Sequence, residues 1–369
     1  MKKNANILIA GAGPSGLSAA IFLSEAGFHP RIIDKKKEIS PYSKALALNP
    51  NTMGILQQYG LAEMFLNKGY KMGAVSFRKG KKLLFRNEFS KVAHKFPFLA
   101  ILPQKESEEL LLEEVLKRGI NVEFSTELIS LEENGKGYLS KIKKNGNVEE
   151  FNADYVIGAD GAHSVVRKQL GFHYEGVHED NHWQLYDVEL ETDLPNQETH
   201  IVMHKEGGII MIPIRDNIWR VAGKVEKPLE YLPEGTKVVQ IKWETPFNVT
   251  HHVANGLIKQ NAVIIGDAAH LHSPIGGRGM NLGIEDAYLA VRLIKEDRLN
   301  EYEQLRLNYL RNTVKRIKFV TKIMTGTSFF IKFARSTSPL GFPIFPFIKP
   351  ALRKFALGLD KTDAVNMRF

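Results

Sequence analysis

The stretch from Asn6 to Asp34 restricts the fold more tightly than any other part of the chain. Asn6 to Ala10 is short and apolar, as expected of a buried strand, and runs straight into Gly11-Ala12-Gly13-Pro14-Ser15-Gly16. A helix is expected from Pro14 to about Ala26, because proline at the first helical position gives up only an N–H that lacks a partner inside the helix. Gly27 closes that helix, and Arg31 to Ile33 forms a second strand ending at Asp34 and Lys35. Glycines at this spacing serve a tight turn, a close approach of backbone to a pyrophosphate, and helix–strand packing, and an acid roughly 20 residues on serves ribose hydroxyls. A GxGxxG alone says little. With strand, helix, second strand and acid all in place, the unit reads as a dinucleotide site. Asp34 suits an adenosine ribose without a 2′-phosphate, hence FAD or NAD rather than NADP at this position.

Two later stretches also place an acid and a glycine at the end of a strand. Tyr155 to Gly158 runs into Ala159-Asp160-Gly161-Ala162, and Ala262 to Ile265 stops at Gly266-Asp267. Open α/β sheets bind ligands outside the carboxyl ends of their strands. A loop holding Pro274, Gly276, Gly277 and Gly279 follows the second of these, and a helix is expected from about Met280. Its apolar face is Met280, Ile284, Ala287, Val291 and Ile294, the recurrence of a half-buried helix. Glycines ahead of a helix N-terminus expose bare N–H groups, which favour negative charge.

The remainder supplies a framework. Thr52 is the expected N-cap of a helix around Met53 to Tyr59, and a helix is expected from Glu106 to Arg118. Val122 to Phe124, Glu127 to Leu131, Gly137 to Lys143 and Val148 to Phe151 alternate with turn signals, as in a β-meander. From Phe172 to about Asn255 strand-like stretches (Trp183 to Glu191, Thr199 to His204, Gly208 to Pro213, Trp219 to Val225) follow one another without long helices between them. The expected architecture is α/β: a Rossmann-like cofactor domain from 1–74, 100–172 and 257–300, an inserted, mostly antiparallel β-sheet substrate domain from 75–99 and 173–256, and a C-terminal helical segment from 301–369.

Composition narrows the function. The chain has no cysteine, which excludes disulfides and thiolate metal sites. Its N-terminus enters a strand without an apolar leader, so the expected location is cytoplasmic. A net charge of +9 fits an anionic cofactor, an acidic substrate or an anionic membrane surface. Nucleic acid is not expected, for want of a recognised module or a basic–aromatic stripe. The tail, Ser328 to Leu357, is apolar but broken by Pro339, Pro343, Pro346 and Pro350, so it packs against the body or touches a membrane weakly rather than spanning one. No metal is expected at His270-Leu271-His272, whose spacing is too short for one helical face and which lacks a carboxylate nearby in sequence. His251, His252, His173, His178 and His182 are either acid–base groups for a phenolic substrate or ordinary histidines.

Taken in order, GAGPSG with Asp34, DYVIGADGAHSVVR at Asp154–Arg167 and GDAAHLHSPIGGRGMNLGIEDA at Gly266–Ala287 resemble the FAD-dependent aromatic-ring hydroxylases of the p-hydroxybenzoate hydroxylase fold, the single-component flavoprotein monooxygenases. The likeness spans most of residues 4 to 295. It implies that Gly11, Gly13, Pro14, Ser15, Gly16, Asp34 and Lys35 hold the ADP half of FAD, with Lys44 and Gln104 beside the cofactor. Asp160 and Gly161 would lie near the pyrophosphate and the approach of the nicotinamide. Gly266 and Asp267 would serve the ribityl chain, and Pro274, Gly277, Gly279, Met280 and Asn281 the isoalloxazine ring. Pro274 and Arg220 are the residues expected closest to the reacting ring. The implied chemistry is reduction of FAD by NADPH or NADH, reaction with dioxygen to a flavin hydroperoxide, and hydroxylation of an aromatic or polyketide-like small molecule. Two positions depart from the family pattern: Lys44 stands where arginine is common, and Arg278, where glutamine is common, either adds positive charge near the ring or points to solvent. Arg167 and Ser164 read as structural, through a salt bridge and a helix cap. Two alternatives remain: a reductase or dehydrogenase of the same fold acting on an isoprenoid or quinone, and a non-enzymatic FAD-binding protein.

Overall fold

The computed structural model describes residues 5–41, 45–204, 207–274, 276–325 and 345–360. The apolar strand Ile7–Ala10 lies inside a six-stranded sheet, between Tyr155–Gly158 on one side and Arg31–Ile33 on the other, both parallel to it. Ala262–Ile264 extends this sheet beside Tyr155–Gly158, and Ile258–Lys259 closes that edge antiparallel. Because the chain leaves Ile7–Ala10 toward one neighbour and returns to its other side much later, the strand order reverses there. A crevice at such a reversal is where this class of sheet takes its ligand.

Helices cover the sheet: α1 (Pro14–Glu25), α2 (Pro50–Gln58), α3 (Ala62–Lys68), α4 (Gln104–Lys117), α5 (Val165–Gln169), α6 (Gly279–Lys295) and α7 (Tyr302–Thr325), with α8 (Phe345–Ala356) later in the chain. α1 and α6 approach closely enough that a Cβ on Gly283 would stand 2.2 Å from Ser15 Oγ. A Cβ on Gly266, at φ +59°, would stand 2.5 Å from the same hydroxyl. A mixed eight-stranded sheet forms the other layer, antiparallel except where Glu198–His204 runs parallel to Ala74–Lys79.

Three details differ from the sequence reading. The cap of α2 is Asn49, whose side chain accepts from Thr52 N at 2.9 Å; Pro50 takes the first helical position, so the helix starts before Thr52. Val122–Glu123 is not part of the meander but pairs parallel with Arg31–Ile33, leaving Thr126–Asn134, Gly137–Lys144 and Asn147–Ala153 as the antiparallel triple. The long strand Lys237–Ala254 has no clear signal in the sequence. Its first half lies exposed against Tyr174–Glu191 and lacks the alternation that half-buried strands show. Helix α8 lies within the C-terminal segment and carries Pro350 inside it. Residues 326–344, most of the proline-rich tail, lie outside the described residues, as does Lys44. Among the described residues no helix is long and apolar enough to cross a membrane.

Candidate active site

One cavity of about 1740 Å³ joins the reversal point of the parallel sheet to the inner face of the eight-stranded sheet. Single-ligand pockets usually measure roughly 300–1,000 Å³, so the space admits a large cofactor and a second molecule. At its first end are Gly11, Gly13, Pro14 and Ser15, with Asp34 and Lys35 beside them. A Cβ on Gly11 would lie 2.2 Å from Ala159 O, and φ there is +104°, a combination open only to glycine. A Cβ on Gly13 would meet nothing within 4 Å, so the free N-terminus of α1 faces open cavity, as a phosphate cradle requires. Gly16 does not line the cavity. Its Cβ would stand 1.9 Å from Gly11 O, so it serves the packing of helix on strand.

Asp34 has both carboxylate oxygens fixed by backbone: Oδ2 accepts from Ala12 N and Oδ1 from Lys36 N, each at 2.8 Å. It thereby shapes the glycine turn as well as facing the cavity. Gln104 reaches the same wall from the first turn of α4, accepting from Ala45 N at 3.0 Å and donating to Glu108 at 2.8 Å. Glu108, one helical turn on, also lines the cavity, a role that its place among the acids of α4 does not signal. Burial raises its pKa, against the lowering effects of Gln104 and Lys36.

Asp160 and Gly161 line the middle. The Asp160 carboxylate turns toward α5, accepting from Ser164 Oγ, Val165 N and Val166 N. Ser164 caps α5 by accepting from Arg167 N at 2.9 Å. The expected salt bridge of Arg167 is replaced by carbonyl contacts: it donates to Ala162 O and Ala268 O, each at 3.1 Å, and lies over the Tyr174 ring. Asp267 faces the cavity from the turn after Ala262–Ile264, while Gly266 is packed beneath it.

Pro274, Gly277, Gly279 and Met280 line the far end. Asn281 is buried just behind, its amide donating to Ala47 O at 2.7 Å and Gly277 O at 2.6 Å while its oxygen accepts from Asn49 N at 2.8 Å. It therefore sets the loop rather than presenting a group to the cavity. Arg220 lines the sheet side, held by Asp187 at 2.7 and 2.8 Å and lying over Trp243. Arg278 lines the cavity rather than pointing to solvent. It is buried, donates to Phe355 O at 2.7 Å, and pairs with Asp360. A guanidinium at the start of α6 opposes the helix dipole, and the Asp360 carboxylate neutralises it.

His270 has the carboxylate partner that its sequence neighbourhood lacks. Its Nε2 lies 2.8 Å from Asp286 Oδ2, which also accepts from Gly266 N at 2.9 Å. Arg306 completes this buried group, donating to Asp286 at 2.6 Å, Glu285 at 3.2 Å and Leu282 O at 3.1 Å. Burial favours protonation of Asp286, but Arg306, His270 and the Gly266 amide together bring its pKa below the ordinary value. At Glu285 burial prevails over Arg306 and the pKa rises. His272 is pushed down to about 3 by burial and by His270, so it is neutral and its Nδ1 donates to Ser273 O at 2.8 Å. Among the described residues no group of three metal-ligating side chains converges.

A family described as "FAD binding domain" matches residues 4–234 and 226–317. The chain belongs to this FAD-binding family. Its cavity fits that cofactor on its own terms, with a bare-glycine turn and an acid at one end and a glycine loop at a helix N-terminus at the other. The family-level resemblance drawn from the three motifs is thereby borne out. The 6-methylpretetramide 4-monooxygenase of Streptomyces rimosus is 28% identical over 361 residues, covering 92% of this chain and 64% of that protein. The pentachlorophenol 4-monooxygenase of Sphingobium chlorophenolicum is 28% identical over 313 residues, covering 77% of this chain and 57% of that protein. This FAD-binding chain thus spans about three fifths of the length of these curated relatives. Among solved structures, p-nitrophenol 4-monooxygenase from Pseudomonas putida superposes with a TM-score of 0.75 at 18% identity, covering 97% of this chain and 95% of that one. The flavin-dependent monooxygenase PieE, solved with FAD and substrate, gives a TM-score of 0.78 at 21% identity, covering 97% and 71%. These superpositions establish the shared α/β fold with its inserted sheet.

Proposed function

We propose that the protein is an FAD-dependent monooxygenase that hydroxylates an aromatic or polyketide-like small molecule with NADH or NADPH as electron donor. The observation that carries this reading is the continuity of the cavity: past Pro274 and Gly277 it opens onto Trp183, Ile210 and Phe247 of the eight-stranded sheet, an apolar chamber beside the flavin's reacting end. The names of the relatives, which act on pretetramide and pentachlorophenol rings, support the substrate class.

In this reading bound FAD supplies the electron transfer and oxygen chemistry. The protein contributes placement and field. Gly13 and the N-terminus of α1 take the pyrophosphate, Asp34 the ribose, and Asp267 the ribityl hydroxyls. The N–H groups of Gly279 and Met280, at the start of α6, stabilise negative charge on the reduced ring. Neutral His272 adds no charge to that end, and the apolar sheet excludes water from the reacting centre.

Two measurements test it. Anaerobic NADH or NADPH should bleach the flavin, and dioxygen added with a panel of phenols, quinones and polycyclic aromatics should give a product carrying one atom of labelled oxygen. Flavin that neither nicotinamide reduces, or that reoxidises without product across the panel, would reject the proposal. Asp267→Ala should weaken FAD binding by about tenfold or more, the value of one hydroxyl contact to a carboxylate. Full flavin occupancy in the purified variant would remove Asp267 from the ribityl site.

A further inference from the structure

We propose that Glu108 is a further residue of the cofactor seat, one that meets FAD as a neutral carboxylic acid and donates a hydrogen bond to its ADP half. The inference rests on the placement of that half given above, at Gly13 and Asp34, and not on the oxygenase chemistry.

Gln104 decides which Glu108 oxygen is free. The Gln104 oxygen accepts from Ala45 N at 3.0 Å, so its nitrogen faces the next turn of α4, where it donates to Glu108 Oε1 at 2.8 Å. Glu108 Oε2 has no hydrogen-bond partner among the described residues, yet it is not one of the enclosed polar atoms of the core. The residue is 3% exposed and lines the cavity, so Oε2 is the oxygen that a cofactor can reach.

A charge on that oxygen would be poorly compensated. Lys36 attracts it and Asp34, on the same turn, repels it. The charges of the helices packed on α4 are engaged elsewhere: Glu25 of α1 pairs with Arg118 at 2.8 Å, and Lys68 of α3 acts on Glu113. Lys35 and Glu127 add one charge of each sign to the cavity wall. Burial pushes the Glu108 carboxyl above its ordinary range; the Gln104 hydrogen bond and Lys36 oppose the rise, and Asp34 adds to it. FAD then brings two phosphate charges to the glycine turn that Asp34 shapes. The neutral acid is the form that fits, and protonation turns Oε2 from an acceptor into a donor.

The proton comes from solvent. Because FAD adds negative charge, the bound state holds the Glu108 proton more tightly than the free state does. Affinity is therefore full below the free-state pKa and falls as pH rises from there to the bound-state pKa, with a proton taken up on binding.

The test titrates apoprotein with FAD by flavin fluorescence quenching, from mildly acidic to mildly alkaline pH. Calorimetry in buffers of different ionisation enthalpy counts the protons taken up. Wild-type affinity should fall by up to about tenfold per pH unit, the limit for one proton. Glu108→Gln keeps an acceptor for Gln104 and a donor toward the cavity. It should bind FAD as wild type does at low pH, without the slope and without the proton uptake. Glu108→Ala should also lose the slope, while binding FAD about tenfold more weakly at low pH, the scale of one hydrogen bond. In the holoprotein at neutral pH, the infrared difference between wild type and Glu108→Gln should contain a protonated-carboxyl band. Equal slopes in wild type and the Gln variant overturn the inference. So does a Gln variant as weak as Ala, which would mean that the site uses the carboxylate charge. Wild-type protein that shows the slope but hydroxylates nothing upholds the inference and rejects the monooxygenase reading alone; wild-type protein that binds no FAD rejects both.

Discussion

Arg306→Ala should cost about 3–5 kcal/mol of folding stability, the usual consequence of removing one partner from a buried ion pair. Arg306 and its two carboxylate partners, Asp286 and Glu285, are all almost entirely inaccessible. Alanine leaves Asp286 to His270 and the Gly266 amide, and takes from Glu285 the guanidinium it pairs with. The raised pKa of Glu285, caused first by burial, shows how little solvation remains to replace that charge. Because Asp286 also holds Gly266 and His270, the damage should spread to the turn carrying Asp267. Urea denaturation followed by circular dichroism, with flavin absorbance as a second probe, measures the loss. Arg306→Lys should fall in between, since it keeps the charge but not the planar fork that reaches Asp286 and Glu285 together. A denaturation midpoint equal to wild type in the Ala variant would mean that the cluster contributes nothing to stability.

The other large effect is expected at Asp34. Asp34→Ala should weaken FAD binding by about a hundredfold or more, because hydrogen bonds to a charged group contribute about 1.5–3 kcal/mol each. Two backbone donors, Ala12 N and Lys36 N, lose their acceptor, and in the proposed reading the ribose loses its carboxylate. Asparagine is a poor substitute here. Both carboxylate oxygens face N–H donors, so in Asp34→Asn the side-chain amide nitrogen would point donor against donor at one of them. The Asn variant should therefore resemble Ala more than wild type. Reconstitution of the apoprotein with FAD, followed by flavin fluorescence quenching, gives the constants. An Ala variant that retains FAD at wild-type affinity would separate Asp34 from the ribose.

What the sequence reveals is the part encoded locally. Ile7–Ala10, the glycine turn, α1 and Asp34 are contiguous, so hydrophobic pattern and turn chemistry alone place them, and the same holds for the loop before α6. The site's other half comes from pairs far apart in the chain. Arg278 and Asp360, Arg306 and Asp286, and Arg220 and Asp187 leave no periodic trace, because an ion pair depends on where strands and helices come to rest. His270 looks partnerless in the sequence for the same reason: its carboxylate lies on α6, across the loop. The antiparallel strand Lys237–Ala254 escapes notice because its first half is exposed, where polar and apolar residues are equally tolerated. Phe355 belongs to a proline-rich segment whose composition gives no hint that it reaches the cavity.

The contact of α1 with α6 leaves a mark on how this chain can change. Ser15 lies against two positions, Gly266 and Gly283, where any side chain would collide with its hydroxyl at 2.5 and 2.2 Å. The three residues therefore cannot drift independently. A methyl group at Gly283 requires the Ser15 hydroxyl to turn away or be lost, and at Gly266, where φ is +59°, a side chain is strained even then. The crossing of α1 and α6 therefore cannot be enlarged without disturbing Ser15, which lines the cavity.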